Sequence, residues 1–302
     1  MTLTIASRGS QLALWQARWI QARLEELGAG SRIQTVKTTG DKVTDVPLAK
    51  VGAKGLFTKE IEEALLSEEA DLAVHSMKDL PTELPEGLTI AAIPRREDPR
   101  DALLGCALKE LRTGAKVGTS SLRRAAQLLA LRPDLKVEPL RGNLDTRLRK
   151  LSEGRYDAIV LAAAGLKRMG WEDRIAEIVS TDYLCPAVGQ GALAVETRAG
   201  GGEAEQLCRR LDHAPTRVAV MAERSLLAAL GGGCQVPIGA YAVVADDRLR
   251  LTAVVCTPDG GRLIRRNLDG PAGEPEALGR RLGEMLLAAG GDEILEEVYG
   301  GG

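Results

Sequence analysis

Residues 116–131, KVGTSSLRRAAQLLAL, decide the fold class because they contain a short strand, a polar turn and a helix in direct succession. The strand and turn are KVGTS, and the apolar residues of SLRRAAQLLAL recur at helical spacing until Pro133 stops them. The same order appears near the start, where the strand LTIAS (residues 3–7) leads into a helix that Ser10 can cap and that ends at Gly28. Strands that alternate with helices predict parallel βαβ units with helices on both faces of the sheet.

Other segments continue this alternation along the chain. DLAVHS (71–76) and LTIAAI (88–93) are predicted strands, and PRREDPRDA (94–102) is a predicted linker. A second α/β unit is predicted from the strand LKVEPL, the helix NLDTRLRKL and the buried strand YDAIVLAAAGL (156–166). A smaller α+β domain is predicted from a helix over 215–230, strands over 240–244 and 249–256, and a helix near 274–289. The expected domains are 1–96, 97–186 and 213–302, with 187–212 returning to complete the first.

The composition narrows the function classes. The chain has 302 residues, 44% of them hydrophobic and 27% charged, which is typical of a folded protein of the cytoplasm. No signal peptide or bilayer-length apolar run is present, so we expect no membrane binding. The net charge of −2 and the 3% aromatic content argue against nucleic-acid binding. Ten basic residues against three acidic ones between Arg112 and Lys150 instead favour a compact ligand with several carboxylates or phosphates.

Motifs for common cofactors are missing. The five cysteines form no CxxC pair and only two histidines are present, so we expect neither a disulfide framework nor a metal site. The GxxxxGK[ST] and GxGxxG patterns are also absent, so neither ATP nor NAD is indicated.

Two residues stand out as candidates for chemistry. GGGCQVPIG (231–239) places Cys234 among glycines, where a bulky group can approach the sulfur; the alternative is a buried thiol at a helix C-terminus. Asp79, in HSMKDLP (75–81), can stabilise a developing cation, or it can be an ordinary turn residue before Leu-Pro. We expect His75 to be a packed residue at a strand end and His213 to lie in a linker.

Long motifs then connect the chain to a known family. They occur in the expected order: ASRGSQLALWQA, HSMKDLP (75–81), SSLRRAAQL (120–128), LRGNLDTRL (140–148), AGLKRMG (164–170), PAVGQGA (186–192) and GGCQVPIG (232–239). From about residue 4 to beyond 240 the chain resembles the hydroxymethylbilane synthase, or porphobilinogen deaminase, family. The resemblance implies two periplasmic-binding-protein-like (type II) α/β domains with mainly parallel sheets around a cleft, plus a smaller C-terminal α+β domain.

The resemblance also implies an activity and a cofactor. It implies a cytoplasmic transferase, a monomer, that deaminates and polymerises four porphobilinogen molecules head to tail into hydroxymethylbilane for tetrapyrrole and haem biosynthesis. The product chain grows on a dipyrromethane cofactor joined to Cys234 by a thioether. Asp79 is the implied catalytic residue. The implied binders of the cofactor and substrate are Arg8, Ser10, Lys78, Thr119, Ser121, Arg123, Arg124, Arg141, Asn143, Arg147, Arg168 and Gln190.

Two other functions are compatible with parts of the pattern. One is a cytosolic two-domain module that binds a polyanion without catalysis, which Cys234 and a third domain argue against. The other is a hydrolase that pairs Cys234 with His75. The only other histidine of the sequence, His213, is expected to lie in a linker and offers no substitute.

Overall fold

A computed structural model describes residues 2–42, 55–232 and 236–300. The chain divides into two compact units. The first comprises Met1–Glu97 and Ala192–Arg217, and the second comprises Asp98–Gly191 and Val218–Gly302. Each unit is therefore built from two separate stretches of the chain.

The secondary structure alternates as the sequence predicts. The strands are β1 (Thr2–Arg8), β2 (Gly30–Val36), β3 (Leu72–Ser76), β4 (Leu88–Ala92), β5 (Asp101–Leu104), β6 (Lys116–Gly118), β7 (Lys136–Glu138), β8 (Ala158–Ala162), β9 (Glu177–Ile178), β10 (Leu193–Arg198), β11 (Ile238–Ala245), β12 (Arg248–Cys256) and β13 (Leu263–Pro271). The helices are α1 (Gln11–Glu26), α2 (Thr39–Lys42), α3 (Lys59–Leu66), α4 (Leu122–Leu131), α5 (Leu144–Ser152), α6 (Ala163–Arg168), α7 (Glu203–Arg209), α8 (Ala214–Ala229), α9 (Pro275–Leu286) and α10 (Asp292–Gly300).

The first unit is organised around a five-stranded sheet with the order β2-β1-β3-β10-β4. Strand β1 runs parallel to β2 and β3, whereas β10 is antiparallel to both of its neighbours. Apolar residues of α1, such as Ile20 and Leu24, pack on Ile5 and Leu72 of the sheet. Because β1 and β3 are parallel, the segments that follow them emerge at the same edge of the sheet.

The second unit repeats this plan in the order β7-β6-β8-β5-β9. Strand β6 is parallel to β7 and β8, and β5 is antiparallel to β8 and β9. Asp101 pairs in register with Ala162. The amino end of β5 therefore lies beside the carboxyl end of β8.

The C-terminal part of the second unit is an antiparallel sheet, β11-β12-β13, covered by helices. Leu226 of α8 and Leu282 of α9 belong to the same buried cluster as Leu251 and Val255 of β12. Alternate strand residues face these helices, which produces the core of an α+β layer.

The predicted fold class is confirmed: two α/β sheets of mainly parallel strands and a C-terminal α+β portion. The domain boundaries at 96, 186 and 212 stay predictions. Strands β2, β9, β10 and β13 were not predicted. No helix in the described ranges is both long and apolar enough to cross a membrane.

Two element predictions were wrong. PRREDPRDA is not only a linker, because its Asp101 begins β5 and is fully buried. YDAIVLAAAGL is not one strand, because β8 ends at Ala162 and the following residues form α6. At that point the antiparallel partner β5 begins. The Ala163 amide still donates to the Arg100 carbonyl at 3.0 Å, but the residues after it have no strand to pair with and bond within a helix instead.

Candidate functional site

The first part of the candidate site lies where β1 and β3 end. Ser10 caps α1, because its Oγ accepts a hydrogen bond from the Ala13 amide at 3.3 Å. Gln16 of α1 donates from Nε2 to the Ser76 hydroxyl at 2.9 Å. The first bond orders the start of α1, and the second holds the second turn of α1 against the end of β3.

A pocket forms at this edge, and its lining includes Arg8, Ser10, His75 and Asp79. The Arg8 guanidinium lies 4.2 Å from the ring centroid of Phe57, which also lines the pocket. The structure therefore brings together a cation, a hydroxyl and a carboxylate that the sequence analysis assigned to one site.

Asp79 ends a short 3-10 turn, Met77–Asp79, directly after β3. The backbone of this turn is held in place because the Met77 amide donates to the Ala192 carbonyl at 3.0 Å and the buried Met77 and Leu80 side chains anchor both sides. The Asp79 carboxylate is exposed and Lys78 is half-buried. A rigid backbone with an accessible carboxylate suits electrostatic stabilisation of a bound cation.

His75 lies in the wall of this pocket but points its Nε2 at a buried carboxylate. That nitrogen is 3.0 Å from Glu196 Oε2, and both side chains are almost fully buried. Glu62 interacts with this pair through its charge. Burial raises the pKa of Glu62, the charge of Glu196 raises that pKa further, and the charge of His75 lowers it. The expectation that His75 is a packed residue at a strand end is confirmed.

The second part of the candidate site lies at the edge of the other sheet. Thr119 and Ser121 follow β6, and the Ser121 amide donates to Thr119 Oγ1 at 3.2 Å. Arg123 and Arg124, in the first turn of α4, are only 4% and 6% exposed. Their partner is Asp101, which lies in the predicted linker PRREDPRDA.

Asp101 is the centre of a buried ionic cluster. Its carboxylate accepts from Arg123 Nη1 at 2.7 Å, from Arg124 Nε at 2.9 Å and Nη2 at 2.7 Å, and from Gln190 Nε2 at 2.9 Å. Burial alone would raise the pKa of Asp101, but the two guanidiniums outweigh it and hold that pKa well below the usual range.

This cluster has the properties of an anion site. Two guanidiniums against one carboxylate leave an excess positive charge. In addition, Arg123 Nε is buried with no hydrogen-bond partner among the described residues. A buried, unsatisfied donor beside excess positive charge fits a carboxylate of a bound ligand. The residues present therefore fit a polycarboxylate cofactor, although the roles of Arg123, Arg124 and Gln190 stay predictions.

The remaining predicted binders are spread over neighbouring loops. Asn143 is the exposed residue that precedes α5, and Arg141 is half-buried. Arg147 donates from Nε to the Gly142 carbonyl at 2.7 Å, and Arg168 donates from Nη2 to the Gly191 carbonyl at 2.7 Å. Their proposed contacts with ligands are untested, and Cys234 lies outside the described residues.

The four cysteines within the described ranges are unsuited to nucleophilic chemistry. Burial raises the pKa of Cys185, Cys208 and Cys256 to about 12 in each case. Burial also raises the pKa of Cys106, which is partly exposed. These sulfurs are therefore protonated thiols near neutral pH.

Sequence reasoning missed Asp101 and Glu196 as parts of the site. Asp101 had one available signal, since it directly precedes the apolar run ALL, which matches the start of a buried strand. Glu196 lies in the apolar strand LAVETR, where an acidic residue at a buried position requires a partner.

Comparisons with known proteins cover nearly the whole chain. Residues 3–206 match the family description "Porphobilinogen deaminase, dipyromethane cofactor binding domain", and residues 218–288 match "Porphobilinogen deaminase, C-terminal domain". The porphobilinogen deaminase of Pelotomaculum thermopropionicum is 54% identical over 299 residues, which cover 97% of this chain and 96% of that protein. That of Desulforamulus reducens is 53% identical over 304 residues, covering 99% and 98%. That of Geobacter sulfurreducens is 52% identical over 301 residues, covering 98% and 95%.

Proposed function

The chain belongs to the porphobilinogen deaminase family, and from this membership we propose that Asp79 is its catalytic residue and Cys234 its cofactor anchor. As a member of this family, the chain is a transferase of porphyrin and tetrapyrrole biosynthesis. Its reaction joins four porphobilinogen molecules head to tail and releases ammonia at each addition, and one water molecule supplies the hydroxyl group when hydroxymethylbilane is released. We also propose that it works as a monomer in the cytoplasm.

One observation carries this proposal: the exposed Asp79 carboxylate shares a pocket with Arg8 at the carboxyl ends of two parallel strands. Ligands of open α/β sheets bind at such edges. Porphobilinogen carries an acetate, a propionate and an aminomethyl group, so its recognition requires cations for the carboxylates and an anion near the reacting ring.

Asp79 performs two tasks in this reaction. Positive charge develops on the pyrrole when the C–N bond breaks and ammonia leaves, and a carboxylate held in place beside the ring N–H stabilises that charge. The free α-carbon of the other pyrrole then attacks the methylene carbon from which ammonia has left. Once the new C–C bond has formed, that α-carbon must lose its proton, and the same carboxylate can accept it. The proton leaves to solvent, so that the carboxylate is restored before the next addition.

The basic residues bind and orient the carboxylates. In the first unit the carboxylate-binding cations are Arg8 and Lys78. In the second unit they are Arg123, Arg124, Arg141, Arg147 and Arg168. The polar residues that bind beside them are Ser10, Thr119, Ser121, Asn143 and Gln190. Arginine suits this role because its planar fork binds a carboxylate through two parallel hydrogen bonds. The excess positive charge around Asp101 supports the assignment of Arg123 and Arg124 to such contacts.

The dipyrromethane, when bound, supplies the pyrrole to which the first substrate is added. We assign its attachment to Cys234, because a thioether resists hydrolysis and the neighbouring glycines leave room for a bulky group. The raised pKa values of the buried Cys185, Cys208 and Cys256 support this choice, since a protonated thiol is a poor nucleophile.

Intact-mass measurement of the denatured protein tests the proposal. The wild type should exceed its sequence mass by one dipyrromethane, and Cys234→Ser should lose that mass while its circular dichroism stays unchanged. Cys106→Ser is the control, because Cys106 is the most accessible of the cysteines described, and it should keep the added mass. An adduct that survives in Cys234→Ser would refute the attachment site.

A further inference from the structure

The turn between β12 and β13 is internally rigid. The Thr257 amide donates to the Arg262 carbonyl at 2.9 Å, and the Arg262 amide donates to Thr257 Oγ1 at 2.9 Å. Asp259 accepts from the Thr257 hydroxyl at 2.5 Å and from the Gly261 amide at 2.9 Å. The bond from the Thr257 hydroxyl lowers the pKa of Asp259, so the carboxylate that organises the turn is ionised at neutral pH.

Gly260, at the tip of this turn, touches the backbone of α4. A Cβ atom at this position would lie 2.5 Å from both the Ala126 carbonyl oxygen and the Ala130 amide nitrogen. Backbone atoms of a helix cannot rotate away as a side chain can. Any larger residue would therefore have to push α4 and the turn apart by close to 1 Å to reach an ordinary contact of 3.4 Å.

The helix that receives this contact is the one that carries the buried arginine pair. Arg123 and Arg124 occupy its first turn, and Ala126 lies two residues after Arg124. Ala126 also belongs to a buried cluster with Cys185, Val254 and Cys256. The C-terminal sheet thus supports α4 along one side, close to the arginines.

We propose that Gly260 is a positioning residue that sets the placement of Arg123 and Arg124 through α4. The inference rests on the proposed function in one respect, namely that these two arginines bind ligand carboxylates. A displacement of about 1 Å in a positioning element can cost on the order of a hundredfold in rate. The tight turn and the missing side chain together hold α4 within that tolerance.

Gly260→Ala in the full-length holoenzyme tests the inference, with Gly114→Ala as a matched control. The two glycines have nearly the same left-handed backbone, φ +74° and φ +72°, so both substitutions introduce similar strain. Gly114, however, has no atom within 4 Å of its added Cβ. Any difference between the variants then reports the contact with α4.

The measurements are amide hydrogen exchange across residues 122–131, the cofactor-bearing fraction by intact mass, and KM for porphobilinogen. In Gly260→Ala we expect exchange in α4 to accelerate about tenfold, the cofactor-bearing fraction to fall and KM to rise. In Gly114→Ala all three should match the wild type. Equal exchange in the two variants would overturn the inference.

If the proposed function is wrong but the positioning role of Gly260 is right, the three measurements give a different result. Faster exchange in α4 with unchanged cofactor content and KM would confirm the contact between Gly260 and α4. It would also show that Arg123 and Arg124 do not bind the ligand. If Gly260→Ala does not fold, Asp259→Ala decides instead, because it loosens the turn without adding a Cβ at the contact. Wild-type exchange in α4 of a folded Asp259→Ala would refute the positioning role.

Discussion

Asp101→Asn is expected to destabilise the protein strongly although the new side chain has almost the same shape. The native carboxylate is completely buried and accepts hydrogen bonds from Arg123, Arg124 and Gln190 at 2.7–2.9 Å. The amide removes the only negative charge in direct contact with the arginine pair in the described structure. Two guanidiniums then remain buried without a counter-ion.

Removing one partner of a buried ion pair costs about 3–5 kcal/mol, because the other charge stays desolvated and unpaired. For a unit of this size that loss lowers the thermal midpoint by roughly 6–20 °C. Differential scanning calorimetry at pH 7 measures it. Asp269→Asn is the control, since it breaks the exposed Arg250–Asp269 pair and should leave the midpoint nearly unchanged.

The pH dependence follows from the lowered pKa of Asp101. A carboxyl whose pKa is lower in the folded protein contributes stability that is complete above its unfolded pKa of about 4 and is lost as the pH falls toward the folded value. The deficit of Asp101→Asn should therefore be constant between pH 5 and 8 and should shrink only in stronger acid.

A second substitution tests whether charge is the cause. Adding Arg124→Gln to Asp101→Asn returns the cluster to its native net charge, so we expect at least half of the lost stability to return. A single variant with a wild-type midpoint, or a double variant that is no more stable than the single one, would refute this reasoning.

Two further predictions concern carboxylates on either unit. Asp79→Asn should lower kcat about a hundredfold or more with little change in KM or in the thermal midpoint, because the amide keeps the shape of the side chain and loses its charge. Glu83→Gln, at an exposed position, is the control. Near-normal turnover of Asp79→Asn would rule out the catalytic assignment. Asp98 should titrate near its lowered pKa of about 2, chiefly because of the Arg100 side chain, so its contribution to stability is present above about pH 4 and is lost toward pH 2. In Arg100→Gln, NMR titration should show the pKa of Asp98 rising toward the ordinary value, and an unchanged pKa would contradict the cause assigned.

The sequence alone determined several of the strands and helices and the edge of the first sheet at which the site would form. Strand and helix patterns depend on spacings of two to four residues, which can be seen within one segment. LTIAS, followed by a capping Ser10, and DLAVHS, followed by Asp79, thus predicted β1, α1 and β3 and the residues beyond them. Parallel pairing of β1 with β3 then placed Arg8 and Asp79 in one pocket.

Only the tertiary structure decided which charges neutralise one another. Glu196 reaches His75 from 121 positions along the chain, because β10 returns antiparallel to β3. Asp101 meets the arginines of α4 because β5 runs against β8 and so brings its first residue to the edge where α4 begins. No local pattern encodes such pairings, since they depend on strand order in the sheet, and a buried charge acquires its partner only when the sheet has formed.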